Sequence, residues 1–189
     1  IPAVYKESFK DLKSSGNFAL DGFVKGTYNE TNLPGYGLKL LVENGYFQYP
    51  ELPMAVKDVN IDLDINNPSG ATEQIHVLLK KFHAKIGNNP IDAAASVSGV
   101  TNMNLDAWIK GSLNIEEFSR IFPMQNITAK GNFVIDASAK GIYNKTSLPA
   151  VKAAMDMKFG YLKSAEFPAA LENLTFSAKM DNPTGKMED

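Results

Sequence analysis

Apolar and polar residues alternate along most of this chain with a period of two, the spacing that sends successive side chains to opposite faces of a β-strand. Phe18, Leu20, Val24 and Tyr28 share one side, with Asp21 and Lys25 on the other. Tyr36, Leu38, Leu40 and Val42 form the next stripe, and a short strand around Tyr46–Tyr49 is expected to end at Pro50 and Pro53, which have no amide hydrogen for a ladder. Val59, Ile61, Leu63 and Ile65 alternate with Asn60, Asp62 and Asp64 up to the turn Asn66-Asn67-Pro68-Ser69-Gly70. Ile75, Val77 and Leu79 begin a strand that runs towards Ile86, and Gly87-Asn88-Asn89-Pro90 is a second turn. Ile91, Ala93, Ala95 and Val97 follow, then Met103, Leu105, Ala107, Ile109 and Leu113. Consecutive strands joined by short turns make an antiparallel meander with one apolar and one wet face.

One helix interrupts the pattern. Asn114 is placed to cap it, Glu117 lies three residues after the cap, and Glu116 and Glu117 suit the positive end of the helix dipole. Phe118, Ile121 and Phe122 supply an i, i+3, i+4 stripe, and Pro123 stops the helix. The expected fold is therefore all-β and mainly antiparallel, with one or two short helices.

The chain also repeats itself. Residues 16–70 align without a gap on residues 131–185, an offset of 115, with 19 identities in 55 positions. Gly16-Asn17-Phe18 matches Gly131-Asn132-Phe133, and Leu33-Pro34 matches Leu148-Pro149. Gly45-Tyr46 matches Gly160-Tyr161, and Asn67-Pro68 with Gly70 matches Asn182-Pro183 with Gly185. Where the copies differ, apolar positions mostly stay apolar: Leu40 and Val42 become Met155 and Met157. The expectation is one continuous repeat domain over 1–189, with unit one at 16–130 and a truncated unit two at 131–189, belonging to a longer repeat protein. Ile1 in place of methionine agrees with a mature form or an excised piece.

Composition narrows the function. With 19 Lys and Arg against 21 Asp and Glu, the net charge is −2, so there is no electrostatic case for nucleic acid. No apolar run approaches the roughly 20 residues of a membrane-spanning helix. Cysteine is absent, which removes disulfides, thiolate metal sites and cysteine nucleophiles. His76 and His83 are both expected on the surface, without convergent carboxylates. Asp62 and Asp64 share a face but read as a solvated strand surface rather than a cation site, and Gly35-Tyr36-Gly37 is not followed by a helix as a phosphate loop would be. No nucleophile elbow is present. The expectation is a protein that is not an enzyme and takes no cofactor or metal. The glycosylation patterns at Asn29, Asn126, Asn144 and Asn173 read as turn chemistry, with Asn29 and Asn144 two copies of one turn. Trp108 alternates to the polar side, where two readings stand, packing under the helix or marking a partner surface, and packing is the expectation.

The apolar stripe remains. Phe18, Leu20, Val24, Leu38, Leu40, Val42, Ile61, Leu63, Ile65, Phe133, Ile135, Met155, Met157, Phe176 and Met180 are the candidates for a surface that takes acyl chains. Periodicity alone admits a second reading, a scaffold whose apolar face is a closed core and whose sheet edges bind partner proteins. A third, a carbohydrate-binding sandwich, lacks an aromatic platform beyond Trp108.

The strand Gly131-Asn-Phe-Val-Ile-Asp-Ala-Ser-Ala-Lys-Gly141, and Leu105-Asp-Ala-Trp-Ile-Lys-Gly-Ser-Leu-Asn-Ile115 entering a short helix that ends at Pro123, resemble the AsmA-like family of bacterial cell-envelope proteins. The resemblance covers most of the chain and rests on degenerate motifs together with the gapless duplication. It implies an elongated, twisted and curved β-groove with a hydrophobic interior, in a periplasmic protein anchored in the inner membrane through segments absent here. It further implies a part in outer-membrane biogenesis and bridge-like movement of phospholipid or another envelope lipid between membranes, and no catalytic residues.

Overall fold

The structure, a computed structural model, describes residues 12–29, 33–48, 54–121, 126–167 and 169–185. Nine strands form one sheet in sequence order: β1 (Lys13–Lys25), β2 (Gly35–Gln48), β3 (Val56–Asn67), β4 (His76–Ile86), β5 (Asn89–Ser98), β6 (Met103–Asn114), β7 (Ile127–Tyr143), β8 (Ala150–Ser164) and β9 (Leu171–Asn182). Every neighbouring pair is antiparallel. The sheet does not close, because β1 and β9 each pair on one side only among the described residues. The fold is thus all-β, and among the described residues it carries one short α-helix, α1 (Ile115–Ile121), and one 3-10 turn at Thr72–Gln74.

Short connections account for this order, since a strand leaving a tight turn meets its predecessor first. Two of the turns are fixed by asparagine. The Asn67 side chain accepts a hydrogen bond from the Gly70 amide at 3.0 Å, and Asn182 does the same for Gly185 at 2.9 Å. The β5–β6 turn is tied from outside: the Glu73 carboxylate accepts the amides of Thr101 at 2.7 Å and Val100 at 3.4 Å. Hydrogen bonds from the side chain and then the backbone of Thr101 hold the Glu73 carboxyl below its ordinary value of 4.5. A carboxyl depressed on folding stabilises the turn above its unfolded pKa, and that contribution is lost as pH falls through the lower folded value. The carboxyl carbon-13 resonance of Glu73 should titrate with a midpoint below 4.5, tracked by the Thr101 amide. A midpoint at or above 4.5 would remove the tie.

The helix starts as its sequence dictates, with the Asn114 side chain accepting the Glu117 amide at 2.9 Å. Asn89 binds this corner to the β4–β5 turn. It donates to Glu117 at 2.6 Å and to the Ile86 carbonyl at 2.9 Å, and accepts the Asn114 amide at 2.8 Å. Asn144 likewise organises its turn, accepting the amide of Thr146 at 2.9 Å and its hydroxyl at 3.1 Å, as turn chemistry requires.

Three expectations change. The short strand at Tyr46–Tyr49 is not separate: β2 runs unbroken from Gly35 to Gln48, with a register shift between Val42 and Gly45 where Asn44 takes a positive φ of 52°. A bulge there lets a strand continue past a break in its alternation. His83 is half-buried rather than exposed, because its ring lies 2.6 Å from the Asp92 carboxylate on the neighbouring strand. Trp108 is not packed away but stays 41% exposed, on the polar face between Ala94 and Ser138. Thr31, Tyr49, Pro50, Pro53, Phe122 and Pro123 lie outside the described residues.

Irregularities of the backbone recur 115 positions apart. Positive φ occurs at Asn44 and Phe159, at Asp58 and Asn173, and at Gly16 and Gly131. Register shifts fall between Ser15 and Asn17 in one pair and between Lys130 and Asn132 in the other. Gly45 faces Val59 and Phe47 faces Val56, while Gly160 faces Leu174 and Leu162 faces Leu171.

Burial is sparse. Among the described residues the buried hydrophobics are Val42, Ala55, Val59 and Ala84, and three of them form one cluster with Leu40, Val56, Ile61 and Phe82 around it. This small core sits where β2, β3 and β4 cross a bulge. Elsewhere, among the described residues, the sheet is a single layer, with α1 packed on β7 and β6.

Candidate functional site: an uncovered apolar face

The ladder register decides which side chains share a face, because directly opposed residues in neighbouring strands point the same way. Tracing one row across the sheet pairs Phe18 with Val42, Val42 with Ile61, Ile61 with Phe82, Phe82 with Ala93 and Ala93 with Ile109. The row continues through Ala137 and Ala153 to Met180. A second row runs Leu20, Leu40, Leu63, Leu79, Ala95, Ala107, Ala139, Val151. Leu38 and Ile65 belong to a third with Val77, Val97 and Leu105. Towards the other end, Ile135 faces Met155, and Phe133 faces Met157, which faces Phe176. Val24 faces Tyr36, two residues from the Leu38 row.

All fifteen sequence candidates therefore stand on one face. The register adds others that belong to the same surface, among them Val77, Leu79, Phe82, Ala93, Ala95, Ala107, Ile109, Ala137 and Ala139. Their alternation is visible in the sequence, but alanine is a weak apolar signal and only the pairing with Leu79 and Val151 reveals its side. Nine strands about 4.8 Å apart make this face about 38 Å wide across the strands.

Much of it is open. Phe18 is 67% exposed and Val24 75%, while Leu20, Phe176 and Met180 are each about half exposed or more. Isolated exposed hydrophobics are ordinary, but a contiguous field of them marks a surface that something apolar covers. In the middle of the face, where alanines replace large side chains, lies a depression of about 330 Å³ floored by Ala93, Ala95, Ala107 and Ala139 and flanked by Leu79, Ile109 and Val151. Small residues on β5, β6 and β7 lower the floor, while Leu79 on β4 and Val151 on β8 bound it across the strands and Ile109 bounds it along β6.

The opposite face carries charge. Lys39 faces Asp64, with its ammonium 3.7 Å from the carboxylate, and Lys110 lies 3.0 Å from Asp136. Lys140 lies 2.5 Å from Asp106, and this hydrogen-bonded partner raises the Lys140 pKa. Asp62 pairs with Lys80 at 3.5 Å, so Asp62 and Asp64 are each engaged by a different lysine. No cluster of three or more potential metal ligands occurs among the described residues, and none of their helices is long and apolar enough to cross a membrane. The charged side chains thus gather on this face, which also exposes Phe23, Leu41, Val134 and Ile142, while the other face is apolar along its rows.

No family model, curated protein or solved structure matches the chain.

Proposed function

We propose that this chain is a periplasmic segment of an AsmA-like cell-envelope protein, and that its apolar face binds lipid acyl chains and conducts them between the inner and outer membranes. The observation that carries this reading is the continuous, largely uncovered apolar face formed by all nine strands. Each methylene buried on it contributes about 0.8 kcal/mol, so a tail is held without directional contacts. Rows of near-equivalent side chains offer near-equal sites, and a headgroup keeps to the wet rim while the tail slides. No chemical step is involved, in keeping with a protein that is not an enzyme.

The test is native mass spectrometry of the purified chain, with organic extraction of bound species and a photo-crosslinking phospholipid as probe. Wild-type protein should carry phospholipid or accept the probe. Phe133→Asp places a carboxylate beside Leu113 and Met157 and should remove about nine-tenths of the captured lipid with the far-ultraviolet spectrum retained. Phe18→Asp, at a strongly exposed position, tests the same face without risk to folding. A protein free of lipid that also refuses the probe would leave the scaffold reading, for which the open edges of β1 and β9 are the relevant feature.

A further inference from the structure

We propose that the free edge of β9 is an acceptor for a β-hairpin whose first strand has the residue pattern of β4, and that this strand docks in one defined register. The inference rests on the internal equivalence rather than on the lipid reading. β3 and β9 span residues exactly 115 positions apart at both ends, 56–67 and 171–182, and each pairs with its preceding strand through the same offsets. The outer edge of β3 is occupied by β4. The outer edge of β9 has no strand on it among the described residues.

Burial follows this difference. Val59, under β4, is 5% exposed, and its counterpart Leu174 is only half-buried. Val56 faces Ile86 and is half-buried, while its counterpart Leu171 is 55% exposed. Beside Leu171 the chain leaves an apolar cavity of about 560 Å³ lined by Ile127, Leu162, Phe167 and Ala169. In unit one the corresponding corner is closed by the end of β4 and its turn: the Gly87 amide bonds the Ala55 carbonyl at 3.5 Å, and Ala55 is buried. The outer edge of β9 and the cavity thus adjoin at Leu171, and a strand followed by a turn fits both.

Moving the β3–β4 register by 115 positions gives the pairing. Phe82 of the incoming strand lies opposite Phe176, Leu79 opposite Ala178 and Val77 opposite Met180, with Ile86 over Leu171. Its large apolar residues then extend the apolar face by one more strand.

The chain has no cysteine, so Ala178→Cys supplies a single thiol. The probe is a synthetic hairpin with the sequence 75–98, carrying cysteine either at the position of Leu79 or at that of Leu78. In a redox buffer the Leu79-position peptide should form the mixed disulfide about tenfold faster, since a one-residue slip turns the thiol to the other face. Leu171→Asp in the Ala178→Cys protein should slow that reaction by a similar factor by placing a carboxylate in the cavity wall. A thiol at Ala19 on β1, the opposite edge, should react slowly with both peptides. Equal rates for the two peptides, no disulfide with either, or an equally fast reaction at Ala19 would each overturn the proposal.

Discussion

Val59→Asp is expected to destabilise the protein by about 4 kcal/mol, because it buries a carboxylate in the cluster of buried hydrophobics found among the described residues. Val59 packs with Val42 and Ala84, and Leu40, Val56, Ile61 and Phe82 close around them. Every one of these neighbours is a hydrocarbon side chain, so a new carboxylate has no cation and no donor within the cluster. Against a total of about 5–15 kcal/mol for a folded domain, such a loss is severe. Leu174→Asp is the internal control, since Leu174 holds the matching place on β9 but has no strand beyond it among the described residues. Its carboxylate reaches water on the open side, and the penalty should be less than half as large. Urea unfolding followed by far-ultraviolet circular dichroism measures both. Equal midpoints for the two variants would mean that β4 adds no dry core to β3.

Gly70→Ala should cost about 2–3 kcal/mol through two separate effects. Gly70 sits at a φ of 78°, where a side chain crowds its own backbone, and an added Cβ would run into the Leu33 carbonyl oxygen. That carbonyl belongs to the connection between β1 and β2, so the clash pushes two turns apart at the same end of the sheet. The Asn67 hydrogen bond to the Gly70 amide would be strained in the same movement. Gly185→Ala repeats the geometry against the Leu148 carbonyl, at a φ of 64°. It lies at the end of an edge strand, where local opening absorbs strain, so the loss in global stability should be smaller. Thermal unfolding of the two variants separates a conformational cost from a positional one. Identical shifts would show that β9 unfolds together with the rest.

The strands were legible because their signal is repeated many times over. Val59, Ile61, Leu63 and Ile65 alternate without a fault, and the asparagine turns at Asn67 and Asn182 give each copy its boundary. The helix start at Asn114 was equally plain, since the capping residue and its acidic first turn are local features. The bulge at Asn44-Gly45 was not. Alternation breaks there, and a break in a one-dimensional pattern looks the same whether the strand ends or merely shifts register. His83 and Trp108 were misplaced for a related reason. Trp108 was assigned to the polar side and His83 simply to the surface, but exposure depends on the neighbouring strand: Asp92 draws His83 in, while the small Ala94 and Ser138 leave Trp108 uncovered.

Sequence by itself determined the strand type and the alternation of apolar positions, because a period of two is a property of residue order. It could not determine that Phe18 and Met180, far apart along the chain, lie in one row across nine strands, nor that both stand open at its ends while Val42 between them is buried. Register depends on bulges and turns that shift whole strands by one residue, and openness depends on whether any layer packs above the sheet. Those are relations between segments, and among the described residues the tertiary structure decided them: a single layer, four buried hydrophobic residues, and an apolar face exposed at Phe18, Val24 and Met180.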